Sequence, residues 1–528
     1  MAKRAGNRFA SFGSAINRRE FVGGAVALGV AGGIIGNPSR ASAQTTPKRG
    51  GVAKIATSDQ NTSSDTLEPR KVSFIIDHAR VYSLFNTLIR FSTKLEPQPE
   101  LAVSWDVSPD AKIWTFKIRQ GIQFHNGKTL DAEDVVYSLN LHRPPNESVV
   151  KSYFQGVKDI KADGKDVVRI ELNQPNADFP MYLGSSHTGI VQNGYKDTND
   201  GIGTGPYKVT LFRPGSRFVA ERNPTYWKSG LPYLDGVEIF GIPAAEARVN
   251  ALLAGDVDFI VRVNPRDVPA IERSSNVKLA RAKSGRHLTV VMMMDREPFK
   301  DNLDLRLAIK HAIDREGIVR DVRRGMAMKG NDHPVSPIDP YYCQDIPFRP
   351  FDPDKAKFHM QKSGFANTGL VLHTSEVLGS EAVDIAVHLQ QSAAKCGINI
   401  EVKREPTDGY YANIWMGRPF HLSGFQPRPT ADLMLSLVHQ TGAKWNETRF
   451  NSERIDKLLL DGRATVDTAK RREIYCAIQR IIWEQGGTIL PMFLDFLDAH
   501  SARLRGFEPH PAGEAGALRL AEGLWIDA

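Results

Sequence analysis

The spacing of apolar residues changes once along this chain, and that change restricts the fold more than any other feature. Up to about residue 300 the pattern is mainly that of strands. Trp114, Phe116 and Ile118 alternate with Thr115, Lys117 and Arg119, which describes a strand with one buried face. Val168, Ile170 and Leu172 repeat the alternation, and residues 51–57 read as a first strand. Asn126-Gly127 is a strong turn signal. Asp131 then stands where it can cap a helix carrying Val135, Val136 and Leu139. Pro214-Gly215, between apolar runs at 207–212 and 217–221, predicts a hairpin, which purely parallel folds lack.

Beyond residue 300 the period becomes helical. Leu305, Ala308, Ile309, Ala312 and Ile313 share one face, after possible caps at Asp301 and Asn302. Residues 381–395 read as a second helix, closed by Gly397 and followed by a strand over 398–402. Ile474, Ala477, Ile478, Ile481 and Ile482 mark a third helix, which stops at Gly486-Gly487 before a strand over 488–494. The fold class is therefore α/β with mixed sheets, in two unlike halves. No repeat and no low-complexity linker separates them, so ordered crossings are expected.

The formal charge is +8. Residues 1–43 hold Lys3, Arg4, Arg8, Arg18, Arg19 and Arg40 against Glu20 alone, a net +5, so only +3 falls on the remainder. A nucleic-acid-binding reading has little support. The same 43 residues run from a basic stretch through a Gly/Ala-rich apolar run, 21–36, to Ala41-Ser42-Ala43, the order of an export signal with cleavage expected after Ala43. Arg18-Arg19 followed by Phe21 resembles a twin-arginine signal. The run is shorter than a spanning helix needs. With no Cys at the cleavage point, the mature chain is expected free in the periplasm rather than lipid-anchored.

The three cysteines, Cys343, Cys396 and Cys476, form no CxxC and no Cys/His cluster, so a metal site is not expected. At most one disulfide can form. Pairing of Cys343 with Cys396 is left open, and three separate buried thiols are the simpler reading. No catalytic motif emerges: HExxH, G-x-S-x-G, a dinucleotide fingerprint and a haem or cluster ligand set are all missing from the sequence. His125 has no nucleophile or base motif beside it, and Gly203-Thr204-Gly205 precedes a strand, which suits a tight backbone turn better than a phosphate cradle. No cofactor is expected, and Asp314-Arg315 reads as a helix-end ion pair.

Four phrases in order carry a family resemblance. The first runs from Leu101-Ala102-Val103-Ser104-Trp105 through Phe124-His125-Asn126-Gly127 to Ala132-Glu133-Asp134-Val135. The second is Gly203-Thr204-Gly205-Pro206-Tyr207 with Tyr226-Trp227 and Pro232-Tyr233-Leu234-Asp235. The third is Pro298-Phe299 with Arg306 and Ala312-Ile313-Asp314-Arg315, and the fourth Phe351-Asp352-Pro353 with Lys355-Ala356. Together they resemble the dipeptide/oligopeptide-type solute-binding proteins of ABC importers, family 5, over about residues 50–500. The resemblance implies a two-lobed periplasmic-binding-protein fold of type II, in the large oligopeptide-binding subclass. It implies lobe I at 44–289 with an inserted subdomain at about 95–200, lobe II at 290–490, and a return to lobe I over 491–528. Ligand capture by hinge closure and delivery to membrane permease subunits follow from it, with the chain expected to be a monomer.

The resemblance also points to site residues. Peptide-binding members carry a Gly-Trp and then an Asp that meets the peptide's amine. Here Gly424-Phe425 takes the Gly-Trp place, Arg428 falls where the Asp is expected, and Asp432 follows. An Arg offers a fork of donors to a carboxylate or phosphate, which favours an anionic or zwitterionic peptide-like ligand; a surface loop position is the bland alternative for Arg428. Asp432 reads more readily as the cap of a helix over 433–438. Trp445 and Asn446 occupy a loop expected to line the cleft, with a core Trp as the alternative. Tyr411, with Tyr410 and Trp415, is a candidate pocket wall or core cluster; His187 and Gln192 are weaker candidates. An exported enzyme, or a sensory or chaperone binding protein of the same fold, are the competing readings.

Overall fold

Two separate sheets organise the chain. The computed structural model describes residues 46–59, 64–196, 199–365 and 369–527. The segment read as an export signal, with Arg18-Arg19 and the cleavage point after Ala43, lies outside the described residues. Pro47–Ala528 form one unit.

The first sheet has seven strands, in the order Val277–Ala282, Phe496–Ser501, Phe259–Ile260, Val52–Thr57, Gly236–Gly241, Arg217–Arg222, Tyr207–Arg213. Val52–Thr57 lies parallel to both neighbours, and the other pairings are antiparallel. The Pro214-Gly215 hairpin forms as its turn chemistry predicts, pairing Phe212 with Phe218. The second sheet has six strands, in the order Ala327–Lys329, Thr488–Leu494, His287–Met292, Phe420–Phe425, Leu370–Thr374, Ile400–Arg404. Thr488–Leu494 and His287–Met292 are buried along their whole length. That explains why the first reads as a continuous apolar run rather than an alternating strand.

The chain crosses between these sheets twice, at Lys283–Arg286 and at Asp495. A separate four-stranded antiparallel sheet, Ala102–Val107, Ile113–Ile118, Val167–Leu172 and Val157–Ala162, carries the alternating segments around Trp114 and Val168. Phe116, Ile118, Val168 and Ile170 are buried beneath it with Val135 and Leu139 of the helix Ala132–Asn140. Asp131 caps that helix, accepting from the backbone N–H groups of Glu133 and Asp134. Asn302 caps the helix Leu303–Ala312. No described helix is long and apolar enough to cross a membrane.

Four local readings change. Thr430, not Asp432, caps the helix Ala431–His439, because its hydroxyl accepts from the Leu433 N–H. Asp314 does not pair with Arg315: it caps the helix Arg315–Asp321, and the buried Arg315 pairs with Asp332. The strand expected over 398–402 sits at Ile400–Arg404, since its register is set by pairing with Leu370–Thr374. The cysteines are not three separate thiols. Cys343 is bonded to Cys476, with Cα atoms 4.8 Å apart, and Cys396 is the buried free thiol. Gly203 and Gly205 serve close backbone approach, because a Cβ on Gly203 would stand 2.1 Å from the Leu84 carbonyl oxygen. His125 fits the same turn, placed within hydrogen-bonding distance of the Gly201 and Gly205 carbonyls.

Candidate functional site

A cavity of about 240 Å³ opens between the segments that hang from the two sheets. One wall comes from His78 and Tyr82 of the helix Ile75–Leu84, with Tyr153 and the 185–187 turn. The opposite wall comes from Gly285 at the first crossing, Pro334–Ser336 and Asp339, and Pro427–Ala431. Pro511, Ala512, Ala517 and Leu518 complete the lining. A second cavity of about 370 Å³ shares Met181, Asp339 and Pro429 with the first and adds Trp105, Trp114 and the Asp178–Arg471 ion pair at 2.6 Å.

Arg428 is the cation of this cleft. It is half-buried, its guanidinium lies 6.0 Å from the centre of the Trp445 ring, and burial lowers its pKa, with Tyr153 as its electrostatic neighbour. Among the described residues it has neither an ion pair nor a hydrogen-bond partner. A half-buried guanidinium with no protein acceptor keeps its fork of donors free for an incoming anion. Asp339 is its counterpart in the same cavity. The one described hydrogen bond to its carboxylate comes from the Tyr341 N–H at 2.8 Å, and no described cation pairs with it. Burial first, then Asp178, pushes its pKa up to about 7 against the opposing pull of that N–H and Arg471. His78 and His187 pack edge to face at 5.0 Å, and burial brings them down to about 4 and about 3. They are neutral at pH 7, hydrogen-bonded to Ser186 and Ser185.

Of the six residues singled out from the sequence, Arg428 alone lines this cavity. Trp445 stands beside its guanidinium, and Phe425 packs on Trp445 with the rings 6.2 Å apart. Asn446 is buried and spends its amide on the Phe450 and Gln440 carbonyls, holding its own loop. Asp432 is buried and bonded by Arg463 at 3.0 Å. Tyr411 is 54% exposed at the outer end of an aromatic row through Trp415, while Tyr410 is the core member. His187 lies on the cavity wall, whereas Gln192 bonds Asn126 at the surface. Asp339, Ser336, Tyr153, Tyr82 and His78 were not singled out. The prolines at 334, 337 and 340 were the available signal for the first two, since such spacing marks an ordered, non-helical segment.

Two sheets, two crossings and a cleft between them, lined by an Arg428 that has no ion-pair partner among the described residues, define a two-lobed solute receptor. Residues 96–434 match the bacterial extracellular solute-binding proteins, family 5, middle region, and the chain belongs to that family. The glutathione-binding protein GsiB of Escherichia coli O6:K15:H31 is 25% identical over 461 residues, covering 84% of this chain and 89% of that protein. The structure of AgaA from A. tumefaciens R10 in complex with agropinic acid superposes with a TM-score of 0.73 at 26% identity, covering 90% of this chain and 99% of that one. The ABC transporter substrate binding protein CtaP of Listeria monocytogenes superposes with a TM-score of 0.80 at 24% identity, covering 91% and 100%. The chain is thus a substrate-binding component of an ABC importer, with the type II fold expected from its sequence, and a binding protein rather than an enzyme. Its partners are a peptide or other small solute and the permease of the importer.

Proposed function

We propose that the protein captures a small anionic or zwitterionic peptide-like solute in the periplasm, with Arg428 receiving its negative group and Asp339 its amine. The observation that carries this reading is the half-buried Arg428 without a partner among the described residues. Asp339 at another part of the same cavity adds the opposite polarity, and ligand binding there would draw it into the ionised form. The curated relative binds glutathione and AgaA is complexed with agropinic acid, both consistent with an anionic amino-acid conjugate. The lobes run near 44–289, 290–490 and 491–528, each bound a few residues from a crossing between the sheets, and closure would turn on Lys283–Arg286 and Asp495. Export by a twin-arginine signal cleaved after Ala43, and action as a monomer, complete the reading.

The test is native mass spectrometry of the mature protein from its periplasm, followed by calorimetric titration with the released molecule. Arg428→Ala should weaken binding more than tenfold, or ~1.4 kcal/mol, and Arg428→Lys by less. An unchanged affinity in Arg428→Ala removes that residue from the site.

A further inference from the structure

We propose that, once the Cys343–Cys476 disulfide is reduced, its two thiols and the Asp345 carboxylate form a binding site for one thiophilic divalent cation such as zinc. The site opens on a neighbouring pocket that shares Asp339 with the ligand cleft, but its three ligands line no part of that cleft and do not depend on the solute reading. The Cys343 and Cys476 sulfurs and one Asp345 oxygen all lie within 4.8 Å of one another. Sequence spacing gave no hint of this, because Cys343 and Cys476 are 133 residues apart. The fold brings the loop holding Cys343 and Asp345 onto the helix Thr468–Gln485 that carries Cys476.

The scaffold does not rest on the sulfur–sulfur bond alone. The Gln479 side chain accepts from the Cys343 N–H at 3.0 Å and donates to the Tyr341 carbonyl at 2.8 Å. Arg471 donates to the Tyr341 hydroxyl at 2.8 Å, and Arg472 to the Pro340 carbonyl at 3.1 Å. Four hydrogen bonds beside Cys343 therefore keep the two backbones together, so the freed thiols still face each other. The group opens on a surface pocket of about 610 Å³, which gives access to a reductant and to an ion. Cys343 is buried, Cys476 half-buried and Asp345 exposed, so the ion enters from the carboxylate side. Water from the open pocket supplies the fourth ligand. Arg472 is the one cation on the pocket wall, and its Nε is engaged by Pro340.

The chemistry balances with a dithiol as reductant. It passes two electrons and two protons to the disulfide, becomes a disulfide itself, and leaves two protein thiols. Cation binding then releases both thiol protons to solvent, because the thiolate is the ligand. In the oxidised chain the sulfurs are bonded to each other, and the exposed Asp345 alone makes a weak, unselective site.

Cobalt(II) is the reporting probe and zinc the competitor. The full mature chain is reduced with dithiothreitol, freed of it without air, and titrated with Co²⁺. The expected result is one cobalt per chain with a thiolate-to-cobalt charge-transfer band that zinc abolishes, and no such band in the oxidised chain. Cys476→Ser should lose the band, Asp345→Asn should weaken binding at least tenfold, and Cys396→Ser should leave both unchanged. A reduced chain without the band overturns the proposal, as does a band that survives Cys476→Ser or disappears with Cys396→Ser. Loss of native circular dichroism on reduction overturns it too, since the scaffold is held to outlast the bond.

Discussion

Replacing Asp332 by Asn should be among the most damaging single changes in this protein, although it touches no ligand. Asp332 is fully buried in a loop beside the cleft wall. Its carboxylate pairs with Arg315, accepts from Arg349 Nε at 3.1 Å, and accepts the Leu490 N–H at 3.2 Å. Burial alone would raise its pKa, but Arg315, Lys310 and Arg349 outweigh burial and hold it below the usual carboxylate range. Asn keeps the shape and removes the charge. Arg315 and Arg349, themselves buried, are then left without a counter-ion. Breaking a buried pair in this way costs about 3–5 kcal/mol. With the lobe that holds Asp332, about 200 residues, unfolding as the cooperative unit, that corresponds to a fall in its Tm of about 6–20 °C, at roughly 2–4 °C per kcal/mol. Differential scanning calorimetry of both forms at pH 7 measures it. The pH dependence supplies a second check. A depressed carboxylate contributes stability that is present above its unfolded pKa, about 3.9, and is lost as pH falls through the folded value. The gap between wild type and Asp332→Asn should therefore close below about pH 4. A Tm change under about 2 °C at pH 7, or a gap that stays constant down to pH 3, would refute the electrostatic argument.

Other consequences are equally direct. Under denaturing, non-reducing conditions one thiol, Cys396, should react with a thiol reagent, rising to three after reduction; Cys343→Ser should lower stability by about 2–4 kcal/mol in a urea melt. Asp432→Asn should destabilise by about 1–3 kcal/mol, because it strips the buried ion pair from Arg463, yet change ligand affinity less than threefold; a tenfold loss would return Asp432 to the binding site. Burial lowers the pKa of His125, His142, His287, His333, His421 and His439 to between about 3 and about 4. Each is neutral when folded but takes a proton when unfolded below about pH 6.5. Stability should fall as pH drops from 6.5 towards 4, with proton uptake on unfolding at pH 5 measured by calorimetry in buffers of different ionisation enthalpy. A stability that is flat over this interval would contradict the buried, neutral state.

The sequence by itself determined what short-range rules control. Alternation placed the strands around Trp114 and Val168, turn chemistry placed the Pro214-Gly215 hairpin, and helical spacing placed the helices at 303–312 and 468–485. These depend on one face being apolar, which is readable from a few neighbouring residues. The ordered phrases also identified the family, and the count to position 428 reached a residue that lines the cavity. Only the tertiary structure decided what long-range packing controls. Asp432 and Asn446 look like ligand contacts until Arg463 and the Phe450 carbonyl are seen to occupy them. Asp339 becomes a cleft residue because its proline-spaced loop is docked on a helix some 130 residues later. Cys343 meets Cys476 for the same reason. A charged group's role depends on whether a partner reaches it, and those partners come from distant segments that no local pattern specifies.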